Sequence, residues 1–184
     1  HPQLGGRQPE LARETAQRIV LAGRAGPRFA AEHFVGEAIT HLQLGQVEAQ
    51  RGQSDAARVH LADALAIAKQ IKHAETEGEA ELVLGEIAME TGNEPEAERR
   101  FQRSLSVCTT AGDRRGAAHA CWALGRLDLR AGRLAAAQPR LREALFAFDG
   151  FEMRAPWVGC LEDHAALALA LGDATLACGL AAAA

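Results

Sequence analysis

Apolar and polar positions along this chain follow a helical period that restarts at a fixed interval. Leu84 and Ile87 recur at the spacing of one helix face. Gly92 then interrupts the segment, and a second apolar stripe follows, in which Phe101 and Leu105 lie one turn apart. This pattern predicts two helices joined by a tight glycine turn.

The same pattern returns every 40 residues. Three sets of positions keep this interval: Leu44-Gly45, Leu84-Gly85 and Leu124-Gly125; Gly52, Gly92, Gly132 and Gly172; and Ala57, Ala97, Ala137 and Ala177. A fixed period of this size is typical of solenoids, in which each unit buries its apolar face against its neighbours. We therefore predict an all-α fold, a right-handed α-solenoid of antiparallel helix hairpins with a 40-residue period.

A single helical repeat domain over residues 1–184 accounts for the whole pattern. Its predicted parts are a leading helix over 9–22 and hairpins over about 29–71, 73–111, 114–149 and 156–184. Hairpins are predicted to separate at Gly112-Asp113, where glycine ends one helix and aspartate caps the next, and at Gly150. The chain begins His1-Pro2 without a methionine, so we expect it to be part of a longer protein.

Composition and charge restrict the partners. Aromatic residues make up 4% of the chain and the formal net charge is −4, so we expect no nucleic acid contact by this domain. No apolar run approaches the roughly 18 residues of a membrane span, and no signal peptide is evident. Four cysteines without a CxxC pair predict reduced, packed thiols rather than a disulfide framework. We expect a cytoplasmic protein with no membrane contact.

At the positions that carry the period, the chain resembles the tetratricopeptide repeat family. That pattern pairs Leu-Gly in the first helix with a glycine at the turn, then a small and a bulky residue in the second helix. Here these are Leu84, Gly85, Gly92, Ala97 and Phe101. The resemblance covers roughly residues 28–184 and implies a fold with a binding groove.

The repeats also depart from the family pattern. Each unit is longer than the usual 34 residues. The usual aromatic residues are replaced at two positions of each unit, by His41, Glu81 and Cys121 and by Glu48, Ala88 and Asp128.

A narrower resemblance rests on the alanine- and arginine-rich composition and on the Gly-Asp pairs between predicted helices, Gly112-Asp113 and Gly172-Asp173. These features look like the sensor arm of bacterial maltose-regulator-like activators and antibiotic regulatory proteins. This resemblance implies a scaffold for transcriptional regulation and signal transduction, in which the arm senses a ligand or a partner.

The family resemblance also implies which positions line the groove, because fixed positions of each first helix face it. Transferred by register, they are Gln46, Glu79, Leu82, Glu86, Met89, Glu90, His119, Trp122, Arg126, Leu129, Arg130 and Glu162. Tryptophan is prominent in interface hot spots, so Trp122 is the candidate anchor. The alternative is that Trp122 fills the core beside Leu82.

Charge is segregated between the second and third units. Nine glutamates and no lysine or arginine lie between residues 74 and 98, whereas seven arginines lie between 114 and 142. Glu86 and Arg126 occupy equivalent positions, as do Glu90 and Arg130. They are predicted to pair across neighbouring helices; alternatively, the arginines clamp a carboxylate or phosphate of a partner.

Catalytic and metal chemistry find little support in the sequence. His33, Glu37 and His41 share one predicted helix face but span about 12 Å, too far to reach one ion together. No hydrolase, metalloprotease or nucleotide-binding motif is evident. We therefore expect no enzyme activity, no cofactor and no metal.

Three hypotheses about partners follow. In the first, the groove binds a protein or peptide, including another domain of the same polypeptide. In the second, it closes over a small molecule, and a closed apolar cavity around Trp122 is expected rather than an open polar channel. In the third, the chain self-associates through the solenoid ends, where the polar cap expected of a solenoid is weak.

Overall fold

Helices account for nearly all of the chain that the structure describes. The computed structural model describes residues 17–18 and 27–184, and no residue in those ranges lies in a β-strand. From residue 27 onward the helices are α1 (Pro27–Gln50), α2 (Ser54–Ile71), α3 (Ala74–Glu90), α4 (Glu94–Ala111), α5 (Arg114–Arg130), α6 (Leu134–Gly150), α7 (Arg154–Ala170) and α8 (Ala174–Ala183). The predicted all-helical repeat fold is confirmed. The predicted leading helix over 9–22 lies outside the described residues, apart from residues 17 and 18.

Left-handed backbone conformations end the helices at regular intervals. The turn inside each hairpin uses the periodic glycine, as at Gly92 with φ 75°. Asp113 caps α5 by accepting a hydrogen bond from the backbone N–H of Gly116 at 3.0 Å, as its position predicts.

At the junctions between hairpins, a second position of the 40-residue period also has the left-handed backbone conformation. Gly112 takes this conformation with φ 75°, but Lys72 (φ 57°) and Glu152 (φ 56°) do so without being glycine. The break predicted at Gly150 was therefore wrong in position, because Gly150 is still helical and the chain turns at Glu152.

We expect Glu152→Gly to raise the free energy of unfolding by about 0.5–1 kcal/mol. A residue with a side chain costs about 1–2 kcal/mol in the left-handed backbone conformation, and the greater conformational entropy of glycine in the unfolded chain offsets part of the gain from removing this cost. Urea unfolding of the variant measures the gain. The converse change, Gly112→Ala, serves as the control and is expected to destabilise. A stability loss in Glu152→Gly would mean that the Glu152 side chain makes a contact that outweighs the strain.

The core is built from interlocked small and bulky residues. Ala57, Ala97 and Ala137 are fully buried. A Cβ added to Gly85 would lie 2.5 Å from the ring of Phe101, which shows how closely α3 and α4 approach. The glycine and alanine of the repeat therefore allow close helix contact, and the bulky residue of the second helix packs onto the glycine.

Contacts between successive hairpins define the inner face of the solenoid. α1 contacts α3, α3 contacts α5, and α5 contacts α7, whereas the second helices of the described hairpins do not contact one another. The first helices thus lie closer together than the second helices. We refer to the surface lined by α1, α3, α5 and α7 as the concave face.

The cysteines are unpaired, as predicted. Cys108, Cys121 and Cys160 are buried, but Cys178 is exposed, which corrects the expectation that all four thiols are packed. Burial raises the pKa of the Cys108 thiol to about 11 and that of Cys160 to about 12, so these thiols are poor nucleophiles. None of the described helices combines the length and the apolar character needed to cross a membrane.

Candidate functional site

The concave face carries an open cavity between α1 and α3. Its volume is about 280 Å³. The residues that line it are Gln46, Ala49, Gln50, Val83, Glu86, Ile87 and Glu90. Three of them, Gln46, Glu86 and Glu90, are among the positions transferred by register. A fourth predicted residue, Glu79, accepts a hydrogen bond from Gln46 Nε2 at 2.7 Å and so links the two helices at this face.

Glu86 is the most desolvated carboxylate of this cavity. Burial raises its pKa above the usual value; Arg126 opposes the shift, and the negative charges of Glu90 and Glu79 add to it. Within the described part of the chain, neither Glu86 nor Glu90 forms a salt bridge. The cavity therefore holds two carboxylates whose charge is not balanced by a direct partner.

Trp122 lies half-buried between α5, α6 and α7. Its ring packs edge-on against Phe148 with centroids 5.6 Å apart. Its indole N–H donates a hydrogen bond to Asp163 Oδ2 at 2.7 Å. A Cβ on Gly159 would lie 2.9 Å from the same ring. The Trp122 side chain thus joins the third and fourth hairpins, whereas Leu82 packs against the separate core cluster around Phe101.

Arg126 completes this junction. Its guanidinium carbon lies 5.3 Å from the Trp122 ring centroid, and its Nε lies 3.7 Å from Asp163 Oδ2. The salt bridges predicted for Glu86 with Arg126 and for Glu90 with Arg130 are not found in the described part of the chain. The reason is positional: the indole of Trp122 holds Asp163 next to Arg126, and Arg126 influences Glu86 only at longer range.

The other transferred positions differ in accessibility. Met89 is 7% exposed and belongs to the core around Phe101, so it cannot serve as a surface contact. Leu82 and Leu129 are partly buried at the edges of core clusters. Arg130 is exposed and, among the described residues, has no ion-pair partner.

His119 and Glu162 complete the transferred set. His119 is half-buried beside Trp122 and Phe148, and burial lowers its pKa. Glu162 is exposed on α7. The predicted residues therefore fall into two groups, one around the α1–α3 cavity and one around the Trp122 junction.

Sequence reasoning missed several residues of these groups. Ala49, Gln50, Val83 and Ile87 complete the cavity, and Asp163 completes the junction. Asp163 follows Trp122 by one period plus one residue, so it stands next to the transferred position 162. A search of the register neighbours for a hydrogen-bond acceptor would have found it.

Comparison with known proteins supports the repeat interpretation. No curated protein matches the chain. Residues 76–147, which span the second and third hairpins, match a family model described as Tetratricopeptide repeat. The narrower resemblance to regulator sensor arms is not covered by this match and stays a prediction. Together with the paired helices, the match supports a tetratricopeptide repeat domain in this chain.

Proposed function

We propose that this chain is a non-catalytic interaction module that binds an extended peptide, or a segment of a neighbouring domain, on its concave face. Tetratricopeptide repeats generally mediate contacts between proteins. The observation that carries the proposal is the open cavity between α1 and α3, whose two carboxylates, Glu86 and Glu90, have no salt-bridge partner among the described residues.

The chemistry of the cavity favours a lysine or arginine side chain of the partner. Val83 and Ile87 provide an apolar floor for the methylene stem. Glu86 and Glu90 face the cationic end, while Gln46 and Gln50 offer further hydrogen-bonding groups. Because Glu86 is already desolvated, a bound cation regains electrostatic energy without a second large desolvation cost for this carboxylate.

A second contact point lies further along the same face. Arg130 is exposed and unpaired within the described ranges, so it is available to a partner carboxylate. Leu82 on α3 and Leu129 on α5 are partly exposed and can supply apolar contact. We therefore infer that the preferred segment carries a basic residue and, at a distance from it, an acidic one.

The test is binding of short extended peptides in which one position is lysine, norleucine or glutamate, measured by fluorescence anisotropy. The lysine series is expected to bind best, and the double variant Glu86→Gln, Glu90→Gln is expected to lose at least about 10-fold in affinity, which corresponds to about 1.4 kcal/mol. The matched control is Glu143→Gln, Asp149→Asn on α6, which removes the same charge from exposed positions away from the concave face.

The single variant Glu86→Gln separates binding from stability. Since burial raises the pKa of Glu86, the folded state binds protons more readily than the unfolded state, and its contribution to stability falls as pH rises through the folded-state pKa. Glu86→Gln is therefore expected to be at least as stable as the wild type at pH 7, with the difference in the free energy of unfolding shrinking toward pH 4.

In the peptide experiment, equal affinity in the double variant and the control would rule out the cavity as the binding site.

The small-molecule hypothesis, that of a sensor arm, expects a closed apolar cavity around Trp122. The described cavity is open and polar-walled and lies between α1 and α3, while the half-buried Trp122 ring packs against the core of the third and fourth hairpins. These observations favour the peptide. A metabolite thermal-shift screen on the same wild-type and double-variant samples distinguishes the two, because a small ligand of the Trp122 junction raises the melting temperature of both proteins equally.

Self-association is supported by one feature of the last hairpin. Leu169, Leu171 and Leu176 are 61%, 56% and 52% exposed, respectively, and all three lie near the C-terminal end. Light scattering of the wild-type chain over a concentration series tests this interpretation, and a constant monomer mass would exclude it.

A further inference from the structure

In the first three hairpins, polar residues between the two helices occupy a repeated set of three positions. One residue comes from the first helix, and two come from the second helix, 19 and 22 positions later. In the second hairpin this position holds Glu81, Arg100 and Arg103, and Glu81 Oε2 accepts from Arg100 at 2.7 Å. The charges there are complementary, so the second hairpin satisfies the position internally.

The third hairpin fills the same position differently. Cys121 contacts the backbone oxygen of Arg140 at 3.5 Å and Glu143 Oε2 at 3.7 Å. Arg140 itself pairs with the buried Asp128. Burial and the neighbouring Glu143 raise the pKa of the Cys121 thiol to about 12, so it stays protonated as a donor.

The first hairpin fills this position with His41, His60 and Asp63, three side chains that all carry lone pairs suited to a metal ion. The ligating atoms lie within 4.8 Å of one another. His41 Nδ1 lies 3.3 Å from His60 Nδ1 and 3.6 Å from Asp63 Oδ2. Helix α1 supplies the first residue, and α2 supplies the other two at i, i+3 spacing, which places them on one helix face.

These separations suit a tetrahedral ion. Zinc binds imidazole nitrogen and carboxylate oxygen at about 2.0–2.2 Å, and ligands at tetrahedral angles are then about 3.3–3.6 Å apart. An octahedral ion with bonds of about 2.0–2.1 Å would require closer neighbouring ligands, at about 2.8–3.0 Å. The distances measured from His41 to His60 and to Asp63 therefore match the tetrahedral geometry more closely.

The site is also reachable from solvent. The side chains of His41 and Asp63 are 26% and 25% exposed, so an ion can enter without unfolding the hairpin. Three protein ligands leave one position for water or for an atom of a partner. His60 and Asp63 lie on the helix after that of His41, so the spacing of His33, Glu37 and His41 along α1 gives no sign of this grouping.

We propose that His41, His60 and Asp63 form a binding site for a zinc-class divalent cation between α1 and α2. The site is independent of the peptide-binding proposal, since none of its residues lines the α1–α3 cavity. The ion would link the two helices of the first hairpin. Its binding would stabilise the folded state, and the free energy of unfolding would increase with the concentration of free ion relative to Kd.

The test is titration of the full chain, in a Cys178→Ser background that removes the exposed thiol, with Zn²⁺ and Co²⁺. Calorimetry is expected to give one ion per chain, and bound Co²⁺ is expected to show the intense visible bands of four-coordinate geometry rather than the weak bands of octahedral geometry. Zn²⁺ is expected to raise the melting temperature of this protein.

Three variants decide whether the named residues hold the ion. His60→Ala and the near-isosteric Asp63→Asn are expected to weaken Zn²⁺ binding by about 100-fold and by at least about 10-fold, respectively. His33→Ala, on α1 but outside the cluster, is the matched control and is expected to bind like the parent protein. Circular dichroism without metal confirms that each variant is folded.

Two results would overturn the proposal. One is the absence of saturable binding of either ion to the parent protein, which would make the cluster a hydrogen-bonded polar contact between helices. The other is unchanged affinity in both His60→Ala and Asp63→Asn, which would place the bound ion elsewhere on the chain.

Discussion

Arg100→Ala is expected to lower the free energy of unfolding by about 2–3 kcal/mol. Arg100 donates to Glu81 Oε2 at 2.7 Å and to Glu96 Oε1 at 2.6 Å, and Glu81 is only 1% exposed. Removing the guanidinium leaves a buried carboxylate with only the more distant Lys69 and Arg103 nearby. These two cations remain, so the loss should stay below that of a fully unpaired buried charge.

The neighbouring arginine provides the control. Arg99 contacts Glu96 on the surface, and its side chain is 59% exposed against 18% for Arg100. Arg99→Ala is expected to change stability by at most about 1 kcal/mol, as exposed ion pairs do. Urea unfolding of both variants at one pH and one salt concentration makes the comparison.

A double variant separates two contributions to the free energy of unfolding: the penalty for a buried carboxylate without its partner and the net stabilisation by the ion pair. Glu81→Leu, Arg100→Leu is expected to recover most of the stability lost in Arg100→Ala, because an apolar pair of similar volume avoids the desolvation of both charges. If the double variant is no more stable than Arg100→Ala, the loss arises from packing of the arginine stem and not from the buried carboxylate.

Gly85→Ala is the second change with a large expected effect, a loss of about 1–3 kcal/mol. The added methyl group would lie 2.5 and 2.6 Å from two ring carbons of Phe101, and 3.2 Å from Cβ of Arg100. Phe101 is fully buried, so its rigid ring cannot move aside without displacing α4. This overpacking exceeds the gain in helix propensity from alanine.

Gly36→Ala is the matched control for this prediction. Gly36 also lies inside a helix, but a Cβ added there meets nothing within 4 Å. The substitution should therefore stabilise the protein by up to about 1 kcal/mol through helix propensity alone. Thermal and urea unfolding of both variants measure the two effects. Stabilisation by Gly85→Ala would show that α3 and α4 can separate at little cost.

Much of the fold follows from local regularities of the sequence. The 40-residue period located the helix pairs, because the Leu-Gly step, the turn glycine and the small alanine each act within one or two turns of helix. Gly85 and Phe101 meet as the register predicts, and Gly92 has the left-handed backbone expected of a turn. Glu152 shows where this reasoning fails, since a non-glycine residue takes a conformation that usually marks glycine.

The candidate site was predictable only in part. Register placed Gln46, Glu86 and Glu90 on one surface, since all three lie on first helices. It could not show that Met89 points into the core. A small rotation of a packed helix about its axis decides which of two neighbouring side chains is exposed, and register does not fix this rotation. The role of Trp122 also depended on a partner from another hairpin, Asp163.

The sequence by itself determined the helical repeat, its period and the close contacts of glycine, alanine and bulky residues, because these depend on backbone conformation and residue size. Tertiary structure alone decided which charged and ligating side chains meet. Arg126 contacts Asp163 rather than Glu86, and His41 meets His60 and Asp63 rather than the residues one turn away on its own helix. Long polar side chains have several candidate partners within reach, and the choice among them depends on helix spacing and burial, which residue spacing does not encode.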